Sequence, residues 1–178
     1  MRDQEKTIGN IADKANMTLI SYIDDEGFPV TKAMLKPRER NGIGEFWFST
    51  NTSSNKVGCF KKNSKASIYF VDKRFFRGVS LIGKVEVLEM PEAKERIWRE
   101  GDTMYYSKGV EDPDYCVLKF TAAKGRYYSN FKSEDFEIEE IQSDRESKLS
   151  NYSSLDTLKV DVSGLAPDET AVYIMEKC

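Results

Sequence analysis

Ser49, Thr50, Asn51, Thr52, Ser53, Ser54 and Asn55 form one unbroken block of hydroxyl and amide side chains, with Lys56 directly behind it. These residue types suit a phosphate ester. Such a group carries up to two negative charges and mainly accepts hydrogen bonds, so hydroxyls, backbone N–H groups and a cation hold it. The segment that follows, "SSNKVGCFKKN", reads as a short helix, and a helix N-terminus adds unpaired N–H groups and a favourable dipole. The plainer alternative is ordinary N-capping, for which Ser, Thr and Asn are preferred. A cap needs one such residue, and seven in a row exceed that need.

Other chemistry is limited by what the chain lacks. There is no histidine, which excludes Ser-His-Asp and Cys-His nucleophile systems in their usual form. Histidine-based zinc sites and haem held by a proximal histidine are excluded for the same reason. The three cysteines, Cys59, Cys116 and Cys178, are widely spaced, so a four-thiolate metal site within one chain is also excluded. Redox or group-transfer chemistry here would fall to an organic cofactor. "DDEG" (24–27) and "EDPDY" (111–115) read as turns, although the first has the oxygen ligands a cation would use.

The elements that must position the polar block follow from periodicity. Residues 2–15 predict a polar, weakly amphipathic helix. "MTLISYID" and "FPVTKAMLK" predict two strands joined by a turn, and Asn41-Gly42 is a strong signal for the next turn. "GEFWFST" predicts a third strand with Phe46 and Phe48 on one face and Trp47 on the other. "KASIYFVD" and "GVSLIGKVEVLE" predict two more, the second bending at Gly83. "MPEAKERIWREGD" predicts a helix with Pro91 near its start, Ile97 and Trp98 as anchors and Gly101 as its stop. "DYCVLKFTA" is a sixth strand and "GRYYSNF" opens a seventh. Trp47, Trp98, Tyr69 and Phe70 are expected in the core; Tyr127, Tyr128 and Phe131 either pack there or stack on a partner's ligand. Many antiparallel strands with few short helices predict a mainly β fold closed into a barrel.

Composition shifts near residue 142, where "QSDRESKLSNYSS" reads as a linker. Residues 1–141 are therefore expected to form the domain and 142–178 an appendage. The net charge of −3 falls entirely on the appendage, with seven acids against four bases, leaving the domain neutral. Within the domain, residues 28–77 hold eleven Lys and Arg against three acids, so the polar block lies in a locally positive segment. A neutral domain with a positive patch suits a small anion better than a long polyanion. The widely spaced cysteines fit free thiols in a reducing compartment, and the charged N-terminal stretch lacks the apolar run of an export signal. No apolar run reaches the ~20 residues of a membrane span. A cytoplasmic location is expected.

The order "GFPVTKAMLK", "FWFSTNTSSNKV", helix, "ASIYFVD", "RGVSLIGKVEVLE", helix, "EDPDYCVLKFTAAKGRYY" resembles the pyridoxamine 5'-phosphate oxidase family. More narrowly, it resembles the branch related to general stress protein 26. The resemblance spans roughly residues 8–130. It implies an FMN-binding split β-barrel that forms homodimers with two flavin sites at the subunit interface. It places Lys32, Ala33 and Met34 along the flavin ring and its tail, and Ser49 and Thr50 beside the ring and phosphate. It gives Ser54 and Lys56 the phosphate. Asn55 stands where the oxidase often has arginine, which removes one charge. Gly78 stands where the oxidase has glutamine, with Arg77 beside it able to take over that contact.

The vitamin B6 oxidase itself is resembled only through the barrel. Its C-terminal substrate segment includes an arginine–histidine element, and nothing in 131–178 is similar to it. Pyridoxamine phosphate oxidation is therefore not expected. The leading expectation is an FMN-dependent oxidoreductase reduced by NADH or NADPH, acting on an unspecified small molecule. No catalytic residue is nominated beyond the cofactor site. One alternative is a stress-related flavin binder without turnover. Another is a small-barrel module for single-stranded nucleic acid, using surface aromatic and basic residues.

Overall fold

A computed structural model describes residues 4–139 together with 141, 143 and 146. Apart from 143 and 146, the expected appendage lies outside the described residues. Among the described residues, eight antiparallel strands form one sheet: β1 (Met17–Ile23), β2 (Pro29–Leu35), β3 (Glu39–Asn41), β4 (Glu45–Asn51), β5 (Lys65–Asp72), β6 (Arg77–Leu88), β7 (Tyr115–Ser129) and β8 (Lys132–Glu137). Their order is β2-β1-β5-β6-β7-β4-β3, with β8 added to β7. Among the described residues, helices α1 (Gln4–Lys14), α2 (Asn55–Lys62) and α3 (Pro91–Ile97) accompany them. The expected mainly β fold is found.

Alternation along the strands builds the core. Ile20 and Tyr22 of β1, Phe46 and Phe48 of β4, Ile68 and Phe70 of β5, Val79 and Leu81 of β6 and Leu118 and Phe120 of β7 all point inward and are buried. Burying each such side chain contributes about 1.5–3 kcal/mol. Helix α1 adds Ile8, Ile11 and Ala12, spaced to form one stripe, and α2 adds Val57, Cys59 and Phe60. Trp47 points the other way, as expected, into a second cluster with Ala93, Ile97, Tyr106, Tyr115 and Val117. Tyr115 stacks 4.7 Å from Tyr106 and 5.2 Å from Trp98, centroid to centroid. Burial pushes both Tyr106 and Tyr115 up to about 12, so this cluster packs and does not titrate near neutral pH.

The structure departs from the sequence expectations in four places. The sixth and seventh strands are one, β7, because an irregularity in the β6–β7 register between Ile82 and Gly83 lets pairing continue past Ala122. Gly83 is obligatory there: a Cβ would lie 1.9 Å from the Thr121 carbonyl oxygen. Strands β3 and β8 are additional. "KSEDFE" has little strand propensity, but a tight turn with Asn130 and Phe131 at positive φ sets it against β7, where Asp135 pairs with Arg126. Helix α3 stops at Ile97, short of the predicted Gly101. The Asp102 carboxylate takes the Arg99 N–H at 3.0 Å and starts a separate 3-10 turn, Glu100–Met104. Finally, Tyr69 is not core. It is 39% exposed on the outer face of β5, with its hydroxyl over Gly78.

Candidate functional site

The polar block folds as the end of β4, a tight loop and the first turn of α2. Asp114, just before β7, fastens the loop. Its carboxylate accepts Asn51 Nδ2 at 2.7 Å and the Ser53 N–H at 2.7 Å, while its backbone carbonyl accepts the Thr52 N–H at 2.8 Å. These bonds hold the Asp114 carboxyl below the usual carboxylate range, with Asn51 the largest cause. "EDPDY" is thus a turn, as expected, but it also shapes the loop. Sequence reasoning missed this role because the clamp joins residues more than 60 positions apart.

Ser54 occupies the N-cap position of α2, yet it does not cap. Its hydroxyl donates back to the Asn51 carbonyl at 2.8 Å and accepts from Lys56 Nζ at 3.2 Å. It therefore places the Lys56 ammonium and leaves the first N–H groups of α2 without a side-chain cap. Such uncapped groups favour an anion.

Around this turn lies a cleft of about 880 Å³, bounded by the β1–β2 turn, the first half of β2, the polar loop and α2. Lys32, Ala33, Ser54, Asn55 and Lys56 line it. Lys32 sits opposite Ile20 on the inner face of edge strand β2, and its charge reaches Lys56. Burial pushes the Lys56 ammonium below the ordinary lysine range, and repulsion from Lys32 pushes the same way. Among the described residues, neither lysine has a carboxylate partner. Of the three acids at the rim, Asp24, Asp25 and Glu26, the first two are engaged elsewhere. Asp24 Oδ1 accepts the Glu26 and Phe28 N–H groups at 3.0 and 2.8 Å, so "DDEG" is a turn, and Asp25 pairs with Lys62.

Thr52 also lines the cleft, and sequence reasoning named it only as part of the block. Its Oγ1 is buried without a hydrogen-bond partner, lying beside the Cys116 thiol but not in bonding geometry with it. A buried hydroxyl and two ammonium groups without carboxylate partners, lining one cleft, are what an oxygen-rich anion would satisfy.

Four other nominated residues lie elsewhere. Ser49 and Thr50 point to opposite faces of β4. Ser49 accepts Arg38 Nε at 3.2 Å, on the side where Arg38 pairs with buried Asp102, and Thr50 is buried on the core side. Met34, opposite Thr18, packs against the core toward the far end of β2. Arg77 pairs with Asp72 at the β5–β6 hairpin, toward the Met17 end of the sheet and away from the cleft. Tyr127 packs partly against the core, Tyr128 meets Phe76 edge-on and Phe131 is 94% exposed.

Residues 3–145 match the family model described as pyridoxamine 5'-phosphate oxidase like. The chain belongs to this family. A solved structure of a protein related to general stress protein 26, of the pyridoxinephosphate oxidase family, from Clostridium acetobutylicum is 38% identical with a TM-score of 0.71. That match covers 78% of this chain and 99% of the other. General stress protein 26 from Bacillus anthracis str. Sterne is 16% identical, with a TM-score of 0.62 over 75% of this chain and 98% of its own. A heme binding protein from Mycobacterium smegmatis is 16% identical, with a TM-score of 0.59 over 76% of this chain and 57% of its own. The last two share the fold alone. No curated protein sequence matches significantly. Family membership thus rests on the whole barrel and on close relatedness to the clostridial protein. Among the described residues, no helix is long and apolar enough to cross a membrane.

Proposed function

We propose that the protein is an FMN-binding flavoprotein whose cleft at the start of α2 holds the flavin phosphate. The observation that carries this reading is the pair Lys32 and Lys56. Two ammonium groups that repel one another in one cleft, neither with a carboxylate partner among the described residues, are stabilised by a dianion. Lys56 and Lys32 would supply charge, Thr52 a hydroxyl and the first turn of α2 its N–H groups, with Ser54 holding Lys56 in place. Asn55 supplies no charge, so affinity depends more heavily on the two lysines. When bound, FMN supplies hydride acceptance and donation at its ring, and the chain's part is to anchor the tail and limit water around the ring.

The same reading takes the functional unit to be a homodimer. Met17, Leu35, Tyr69, Val71 and Ile82 all lie exposed on the outer face of β2-β1-β5-β6. A contiguous apolar sheet face of this kind suits a second copy. Reduction by NADH or NADPH with transfer to a small-molecule acceptor is the activity the family relationship favours.

The purified protein should absorb as a flavin and release FMN on denaturation, and NADH or NADPH should bleach it. Colourless protein that binds no added FMN, or one showing a Soret band instead, overturns the proposal. Flavin that resists both nicotinamides supports binding without turnover.

A further inference from the structure

Lys94 is a buried lysine on α3, and among the described residues it has no carboxylate partner. Its Nζ lies 5.8 Å from the centre of the Tyr115 ring and donates to the Asp112 carbonyl at 3.3 Å. Burying an ammonium with no anion beside it is costly, so keeping one here calls for a use beyond packing.

The partner it reaches is the centre of the turn before β7. Besides Lys94 Nζ, the Asp112 carbonyl accepts the Tyr115 N–H at 3.0 Å. The buried Asp112 carboxylate takes the Asp114 N–H at 3.0 Å through Oδ1 and the Lys108 N–H at 3.2 Å through Oδ2. The Tyr115 hydroxyl donates to the Lys94 backbone carbonyl at 3.2 Å, so α3 is tied to this turn twice. The turn in turn sets Asp114, whose carboxylate holds Asn51 and Ser53 and whose carbonyl holds Thr52. The two aspartates either side of Pro113 thus divide the task. Asp112 fixes the turn, and Asp114 fixes the polar loop to it.

We propose that Lys94 and Asp112 are positioning residues for the polar loop. Acting through Asp114, they set where Thr52 and Ser54 meet a phosphate, although neither lines the cleft. The proposal rests on the flavin reading for its ligand and on the hydrogen bonds alone for its geometry. When Lys94 is replaced, the Asp112 carbonyl keeps the Tyr115 N–H. Lys94→Met therefore strands no buried acceptor and separates placement from stability.

The test compares FMN with riboflavin, which lacks only the phosphate, by flavin fluorescence titration of the full chain. In Lys94→Met, FMN affinity should fall about fivefold, while riboflavin affinity and the thermal melt stay at the parent's values. Asp112→Ala should lower FMN affinity about tenfold, and Asp112→Asn, which keeps an acceptor for the Asp114 N–H, should recover part of that loss. Hydrogen exchange of the ligand-free protein gives an independent readout. The Thr52 and Ser53 amides should exchange about fivefold faster in Lys94→Met, with β5 unchanged. Equal losses for FMN and riboflavin, an earlier melt large enough to account for the lost affinity, or parent-like exchange at 52 and 53 would each overturn the assignment. A parent chain that binds neither flavin would sink the flavin reading instead, and exchange at 52 and 53 would still decide the positioning.

Discussion

Asp114 Oδ2 accepts the Asn51 side-chain amide at 2.7 Å, tying the residue before β7 to the last residue of β4. Since β4 and β7 are paired, with Asn51 opposite Tyr115, this bond locks the loop to the sheet that carries it. The loop then delivers Thr52 and Ser54 to the cleft in fixed positions. Asp114→Ala should therefore weaken FMN binding about tenfold without touching the ligand. The same residue gives a pH signature. Its carboxyl is lowered in the folded state, so its contribution is complete above the unfolded carboxyl range and fades as pH falls through the folded value. Acid unfolding curves of parent and Asp114→Asn should diverge most above that range and converge at low pH. Parallel curves would show that the clamp is dispensable.

Lys56 should trade stability for affinity. Holding an ammonium in a half-buried place beside Lys32 disfavours the charged form, so in the ligand-free protein stability rises as pH climbs through the lowered folded value. Lys56→Met removes that cost and keeps the packing of the stem. We expect a ligand-free melting temperature equal to or above the parent's, with FMN affinity lower by about tenfold or more. A variant that melts earlier and keeps its affinity would place the phosphate elsewhere.

Two glycines of β6 should differ sharply. An alanine at Gly83 would drive its methyl into the Thr121 carbonyl of the neighbouring strand at 1.9 Å, where only backbone can yield. Gly83→Ala should cost about 3 kcal/mol or more in urea unfolding. At Gly78 the obstacle is the Tyr69 hydroxyl at 2.0 Å, the far end of a side chain 39% exposed. Gly78→Ala should cost about 1 kcal/mol or less, since the tyrosine can swing out. Similar losses at both sites would show that Tyr69 is held more firmly than its exposure implies.

Arg38 and Asp102 form a buried ion pair, with side chains 13% and 4% exposed. Asp102 also starts the 3-10 turn through the Arg99 N–H, and Arg38 reaches Ser49. Removing one member strands the other charge. Asp102→Ala should destabilise by about 3–5 kcal/mol, read from thermal or denaturant melts. Because the pair lies on the far face of β4 from the lysine cleft, FMN binding by the folded fraction should change little. Lost binding in protein that still melts cooperatively would mean that this face also supports the ligand.

The residue order alone determined the barrel strands and the phosphate candidate, because both are written locally. Alternation over 17–23, 45–51 and 65–72 assigns faces without reference to anything distant. The run from Thr52 to Lys56 concentrates one chemistry within a few positions. Pairing decided the rest. Strand β8 exists because β7 offers an edge to it, α3 ends early because Asp102 reaches back to Arg99, and β7 stays whole because β6 accommodates its irregularity. The site divided in the same way. Ser54 and Lys56 were legible, whereas the approach of Lys32, the orphaned hydroxyl of Thr52 and the grip of Asp114 come from strands brought side by side. Local periodicity fixes which way a side chain points; only the assembled sheet decides what it meets.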